Sequence, residues 1–114
     1  MTYTYVDMEI IETSVFTRKI RELMSDEEYG QLQFALVQRP DIGDIIPHSG
    51  GIRKVRWAGS GRGKRGGIRV IYYWQVSEQQ IFMLLAYAKN EQDNLTSSQL
   101  KVLRKLVEEE FGNG

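Results

Sequence analysis

The chain holds 114 residues, 15 of them basic and 15 acidic, with one histidine and no cysteine. That length suits one domain, and at this size folding removes about two-thirds of the unfolded surface from water, enough for a core without disulfides. The missing cysteines exclude a disulfide scaffold, a thiolate metal site and a cysteine nucleophile, and a single His48 leaves no multi-histidine metal centre.

In chain order, Met8-Glu9-Ile10-Ile11-Glu12 reads as a short strand, and Thr13 or Ser14 can cap a helix with Phe16, Ile20 and Leu23 on one face. Ser25-Asp26-Glu27-Glu28 is a capping box that opens a second helix carrying Tyr29, Leu32 and Leu36, which must stop before Pro40. The turn-rich segment from Pro40 to Gly51 predicts an ordered loop. Strands are expected at Ile52 to Trp57, Gly67 to Val76 and Gln80 to Ala88, the last two joined through Ser77-Glu78-Gln79. Thr96 or Ser97 then caps a final helix with Leu100, Leu103, Leu106 or Val107, and Phe111 along one stripe. The order β-α-α-β-β-β-α predicts a single α+β domain over residues 1–114, a mainly antiparallel twisted sheet with the helical hairpin on one face and a C-terminal helix.

No basic region followed by an apolar run opens the sequence, and the longest apolar stretch, Ile81 to Ala88, is far shorter than the roughly 20 residues of a spanning helix. A cytoplasmic location with no membrane partner is the expectation. The balanced charge is a cancellation. Residues 1–51 hold nine acidic and four basic side chains, residues 52–90 hold eight basic ones and only Glu78 as an acid, and residues 91–114 hold five acidic and three basic. The middle third is therefore a cation between two anionic pieces.

Side chains alternate across a strand, so each strand divides into two faces. Lys54 and Arg56 share one with Ile52, while Arg53, Val55 and Trp57 point the other way. Arg69, Ile71, Tyr73 and Gln75 oppose the apolar set Ile68, Val70, Tyr72, Trp74 and Val76. Strict alternation in the third strand puts Tyr87 and Lys89 with Ile81, Met83 and Leu85. One stacking then gathers Lys54, Arg56, Arg69, Tyr87 and Lys89 on a single face near one end of the sheet. Trp57, Tyr72 and Trp74 alternate with core positions and are read as packing residues, and Glu108, Glu109 and Glu110 as a solvated helix end.

An unpaired guanidinium at Arg69, inside a strand of β-branched and aromatic residues, is costly; a carboxylate from the acidic first third could pair with it, but residues 53–69 hold seven cations and no acid. Such a basic face beside tyrosine suits RNA, with phosphates on Arg and Lys and rings against unpaired bases. Metal-independent ribonuclease chemistry needs a base for the ribose 2′-hydroxyl, cations for the charge developing on phosphorus, and an acid for the departing 5′-oxygen. Lysine or tyrosine can fill either proton-transfer role where surrounding cations lower its pKa. No cofactor and no metal is called for.

Gly51-Ile52-Arg53-Lys54-Val55-Arg56, the strand Gly67-Ile68-Arg69-Val70-Ile71-Tyr72-Tyr73 and the strand end Tyr87-Ala88-Lys89-Asn90-Glu91 resemble the RelE superfamily of bacterial toxins, in its HigB-like branch. The resemblance implies a toxin of a type II toxin-antitoxin pair that enters the ribosomal 30S A site, cuts mRNA there and stops translation. It implies as partners ribosomal RNA and a cognate antitoxin, HigA-like with a helix-turn-helix domain, through which alone operator DNA is bound. Lys54, Arg56, Arg69 and Lys89 match the family's catalytic cations, and Tyr87, with Tyr73 as the other option, is the catalytic candidate that substitutes for the family's C-terminal tyrosine. Asn90 stands where well-known members have a second arginine, and Thr96 where they have a tyrosine. Arg53, Arg62, Lys64, Arg65, Tyr73 and Asn90 are the further RNA- or ribosome-binding candidates; the glycine-flanked Arg62, Lys64 and Arg65 are expected to grip ribosomal RNA. In some HigB relatives a histidine near the position of His48 contributes. A ParE-like toxin that inhibits DNA gyrase without cutting RNA is the alternative on the same fold.

Overall fold

The N-terminal helices begin where side chains can satisfy their first free amides. In the computed structural model, which describes residues 1–58 and 67–111, the elements run β1 (Thr2–Tyr5), β2 (Met8–Glu12), α1 (Ser14–Leu23), α2 (Asp26–Gln38), β3 (Asp44–Ile45), β4 (Ile52–Trp57), β5 (Ile68–Gln75), β6 (Gln80–Ala88) and α3 (Ser97–Phe111). Thr13 caps α1 by accepting from the Phe16 amide at 3.0 Å. Ser25 and Glu28 form the expected reciprocal box at the start of α2. Thr96 and Gln99 make the same kind of box ahead of α3, each side chain accepting from the other's amide at 3.0 Å.

The sheet order is β1-β2-β6-β5-β4-β3. Neighbours are antiparallel except β2 and β6, which are parallel. The α+β class, the helical hairpin, the three central strands and the C-terminal helix are as the sequence predicts. Two strands are added to the predicted order. β1 pairs with β2 at one edge, and at the other β3 sets Asp44 opposite Lys54 and Ile45 opposite Arg53.

One face of the sheet is covered by α1 and α2, whose Phe16, Ile20, Leu23, Tyr29, Leu32 and Leu36 meet Ile10, Val55, Val70, Tyr72 and Ile81. The opposite face carries α3, through Leu103 and Val107 against Ile52, Ile71 and Leu84. Strict alternation fails in β6. Ile71 lies opposite Leu85 but Tyr72 opposite Met83, so Leu84 is an extra residue, a β-bulge. The bulge turns Ile81 and Met83 toward the helical hairpin and leaves Leu85 and Tyr87 on the α3 side, which corrects their predicted common face. The Leu84 carbonyl accepts from the Thr13 hydroxyl at 3.0 Å, so the α1 cap also holds the bulge.

The loop before β4 is ordered, as expected. Buried Tyr72 donates to the Pro40 carbonyl at 2.7 Å and accepts from the Gly43 amide at 2.8 Å. Position 43 must be glycine, because a Cβ there would lie 2.9 Å from the Tyr72 ring and hydroxyl. Gly67 enters β5 with φ +78, and a Cβ would sit 2.6 Å from the Trp57 carbonyl. Gly67→Ala is expected to cost about 1–3 kcal/mol, from left-handed strain and overpacking together. Urea denaturation measures it, and an unchanged midpoint would contradict the placement.

Tyr3, Tyr29, Tyr72 and Tyr87 are all pushed above the ordinary tyrosine value of 10.0, chiefly by burial. The folded chain keeps these protons at pH values where the unfolded chain releases them. Their stabilisation is therefore intact below pH 10 and is lost as pH rises above 10 toward the folded values. Phenolate absorbance is expected to grow in step with loss of ellipticity. Full ionisation centred on 10 with the fold intact would be the opposite result.

Candidate functional site

Cross-strand register decides which of the predicted side chains meet. Arg56 lies opposite Arg69, and Arg69 opposite Tyr87, so β4, β5 and β6 contribute one row on the α3 side of the sheet. The adjacent row is Lys54, Ile71 and Leu85. Residues directly opposite have Cβ atoms about 5 Å apart, and like charges so placed oppose each other unless an anion lies among them. Arg69 is only 4% exposed, whereas Arg56 is exposed. The row thus has one cation set into the sheet and one at the surface.

Lys54 is half-buried, and its Nζ donates to Asn94 Oδ1 at 3.0 Å. Asn94 sits in the turn leading to α3. Gln92 Nε2 donates to the Asn94 carbonyl at 3.0 Å and to Gln99 Oε1 at 2.9 Å, joining the turn to the α3 capping box. Asn94 was not among the residues expected from sequence; nothing local distinguishes it, and only folding brings position 94 to position 54.

Lys89 and Asn90 are exposed immediately past β6. The Lys89 amide donates to the Gly67 carbonyl at 3.1 Å, so the ladder runs one residue further, and alternation from Tyr87 keeps Lys89 on the arginine side. Lys54 and Lys89 therefore flank the Arg56–Arg69 row along the strand direction. Tyr87 is 3% exposed, and its hydroxyl has no hydrogen-bond partner among the described residues. Burial raises its pKa, Arg69 lowers it and Asp93 raises it, and the balance is upward. The expectation that surrounding cations lower the pKa of tyrosine is thereby corrected for Tyr87, because desolvation of a phenolate outweighs a neighbouring guanidinium. A cleft of about 510 Å³ opens beside Lys54 and Arg56, lined also by Asp44, Trp57 and Asn94.

Three predicted residues lie elsewhere or are placed differently. Arg53 points to the opposite face from Lys54, and its Nη1 donates to the carbonyls of Gly43 at 2.7 Å and Asp41 at 3.3 Å, fastening the loop. Tyr73 sits opposite Ile52 and Phe82, four residues or about 13 Å along the strand from Arg69, and packs under α3. His48 is exposed in a left-handed turn with φ 61, and its carbonyl accepts from Arg104 at 3.2 Å. Arg62, Lys64 and Arg65, and the side chain of Phe111, lie outside the described residues. Trp57 and Trp74 pack half-buried against the helical-hairpin core, as the alternation predicts.

Among the described residues no helix is long and apolar enough to cross a membrane. Residues 8–112 match the family model described as the RelE toxin of the RelE/RelB toxin-antitoxin system. The match runs from β2 through α3 and takes in every strand that carries the basic row. With the fold, the row of cations and a match over nearly its whole length in agreement, the chain belongs to the RelE toxin family.

Proposed function

We propose that this toxin is a ribosome-dependent mRNA endonuclease, in the HigB-like branch of its family, which cuts mRNA in the 30S A site and so stops translation in the cytoplasm. The observation that carries the reading is the convergence of Lys54, Arg56 and Arg69 from two adjacent strands onto one face beside a cleft. A polyanion is the ligand such a face favours, and guanidinium groups bind phosphate oxygens through paired N–H donors.

In this reading Arg69 and Arg56 take the non-bridging phosphate oxygens, where charge develops as the 2′-oxygen attacks phosphorus. Lys54 and Lys89, one on each side of the row, supply the proton-transfer groups: one accepts the 2′-hydroxyl proton and the other protonates the departing 5′-oxygen. The products are a 2′,3′-cyclic phosphate and a free 5′-hydroxyl. Tyr87 lies across the ladder from Arg69 and keeps its proton, and in this reading it serves as a positioning residue for the arginine. Asn94 does the same for Lys54. The ribosome holds the mRNA in line, and contacts from Asn90, Arg62, Lys64 and Arg65 to ribosomal RNA complete the docking. Neutralisation falls to a cognate antitoxin, HigA-like with a helix-turn-helix domain, through which operator DNA is reached.

Primer extension on mRNA after induction tests the reading. Cuts within codons, with translation arrested first, are expected. Uncut mRNA with replication arrested would instead favour a ParE-like gyrase inhibitor.

A further inference from the structure

β3 covers only Arg53 and Lys54 of β4, so from Val55 to Trp57 the strand has no partner on that side among the described residues. The 510 Å³ cleft opens along this uncovered edge. It combines three chemistries. Ile45 of β3, Ile46 and Pro47 just after it, and Trp57 of β4 supply apolar and aromatic surface. Lys54 and Arg56 supply positive charge at its border with the arginine row. Asp44 supplies a carboxylate, exposed and without an ion pair among the described residues.

We propose that the cleft binds one unpaired guanine of the RNA, next to the phosphate held by Arg56 and Arg69, and that Asp44 reads it. This rests on the nucleic-acid reading of the basic row. Apolar and aromatic walls suit the faces of a base, and single-stranded RNA offers bases splayed from their stack. The carboxylate selects among them. An ionised carboxylate has two acceptor oxygens and no donor. Guanine presents two adjacent donors on one edge, N1–H and the N2 amino group, which match both oxygens. Adenine and cytosine set an amino group beside a ring nitrogen whose lone pair would face the second oxygen. Uracil sets its single N3–H between two carbonyls.

The test uses ¹⁵N-labelled protein titrated with each of the four nucleoside 5′-monophosphates. GMP is expected to shift the amides of Asp44, Ile45, Ile46 and Val55 to Trp57, and to bind about ten-fold tighter than AMP, the discrimination of one bidentate base contact. Asp44→Asn presents one donor and one acceptor, and is expected to bring GMP and AMP to about equal affinity while keeping the phosphate contacts. Equal binding of all four nucleotides, shifts away from the cleft, or an unchanged preference in Asp44→Asn would overturn the proposal. Mapping cut sites on ribosomes separates it from the broader reading. Selective GMP binding without any cutting contradicts the nuclease and leaves the pocket standing. Cutting whose base preference is the same in Asp44→Asn and wild type overturns the pocket alone.

Discussion

Arg69→Ala is expected to lower single-turnover cutting on programmed ribosomes by about 100- to 1,000-fold, the usual loss when one preorganised donor to a developing oxyanion is removed. Arg69 lies in β5 directly between Arg56 and Tyr87 and is only 4% exposed, so the dense packing around it limits where its side chain can go. Preorganisation of this kind is what makes an electrostatic contact worth more in the transition state than in the ground state. Arg69→Lys separates charge from geometry. It keeps the cation but loses the planar fork, so cutting is expected to stay well below wild type. Far-UV circular dichroism and thermal unfolding of both variants distinguish loss of chemistry from loss of fold. Full-rate cutting by folded Arg69→Ala would remove this residue from the mechanism.

The largest expected effect on stability lies on the other face of the sheet. Glu12, at the end of β2, is 6% exposed and accepts from the hydroxyls of Tyr29 and Thr17, the latter at 2.6 Å. Burial, then the hydrogen bond to Glu12, raises the Tyr29 pKa, so the phenol remains a donor throughout the physiological range. Glu12→Ala leaves the buried Tyr29 hydroxyl without its acceptor and is expected to cost about 2–4 kcal/mol. Glu12→Gln retains one acceptor oxygen and is expected to cost less. Urea unfolding measures both, and an unchanged midpoint in Glu12→Ala would contradict the burial. Cutting per folded molecule is expected to survive, because Glu12 faces the helical hairpin and the basic row faces α3.

The elements legible in the sequence were those whose signals are local. Ser25 with Glu28 and Thr13 with Phe16 announce helix starts through side-chain to backbone bonds spanning three residues. The central strands carry enough β-branched and aromatic residues to show at any register. β1 was not legible because Thr2–Tyr5 alternates between half-buried and exposed, and its order comes from pairing with β2. β3 has two residues, too few for any period to appear. The bulge at Leu84 is set by where β5 and β6 fall out of step, a property of two strands at once.

The site divides in the same way. Lys54, Arg56 and Arg69 were brought together as alternation predicts, since the intervening ladder is regular. Arg53 looks identical to its neighbours by composition, yet the carbonyls of Asp41 and Gly43 give it a structural task. Tyr73 shares the face of Arg69 but lies under α3, whose position the strand pattern does not encode. Tyr87 lies where expected, but its burial depends on the packing of α3 and reverses the direction of its pKa. Asn94 is positioned by the α3 capping box through Gln92 and Gln99, a route that exists only in three dimensions.

The most direct measurement compares purified toxin on free mRNA and on the same mRNA loaded in ribosomes with an empty A site, with 5′ ends mapped at nucleotide resolution. Cuts confined to the A-site codon, leaving a 5′-hydroxyl and a 2′,3′-cyclic phosphate, with little cleavage of free mRNA, are the result expected from a basic row that relies on the ribosome for alignment. Intact mRNA on the ribosome, or equally rapid cutting of free RNA, would contradict it.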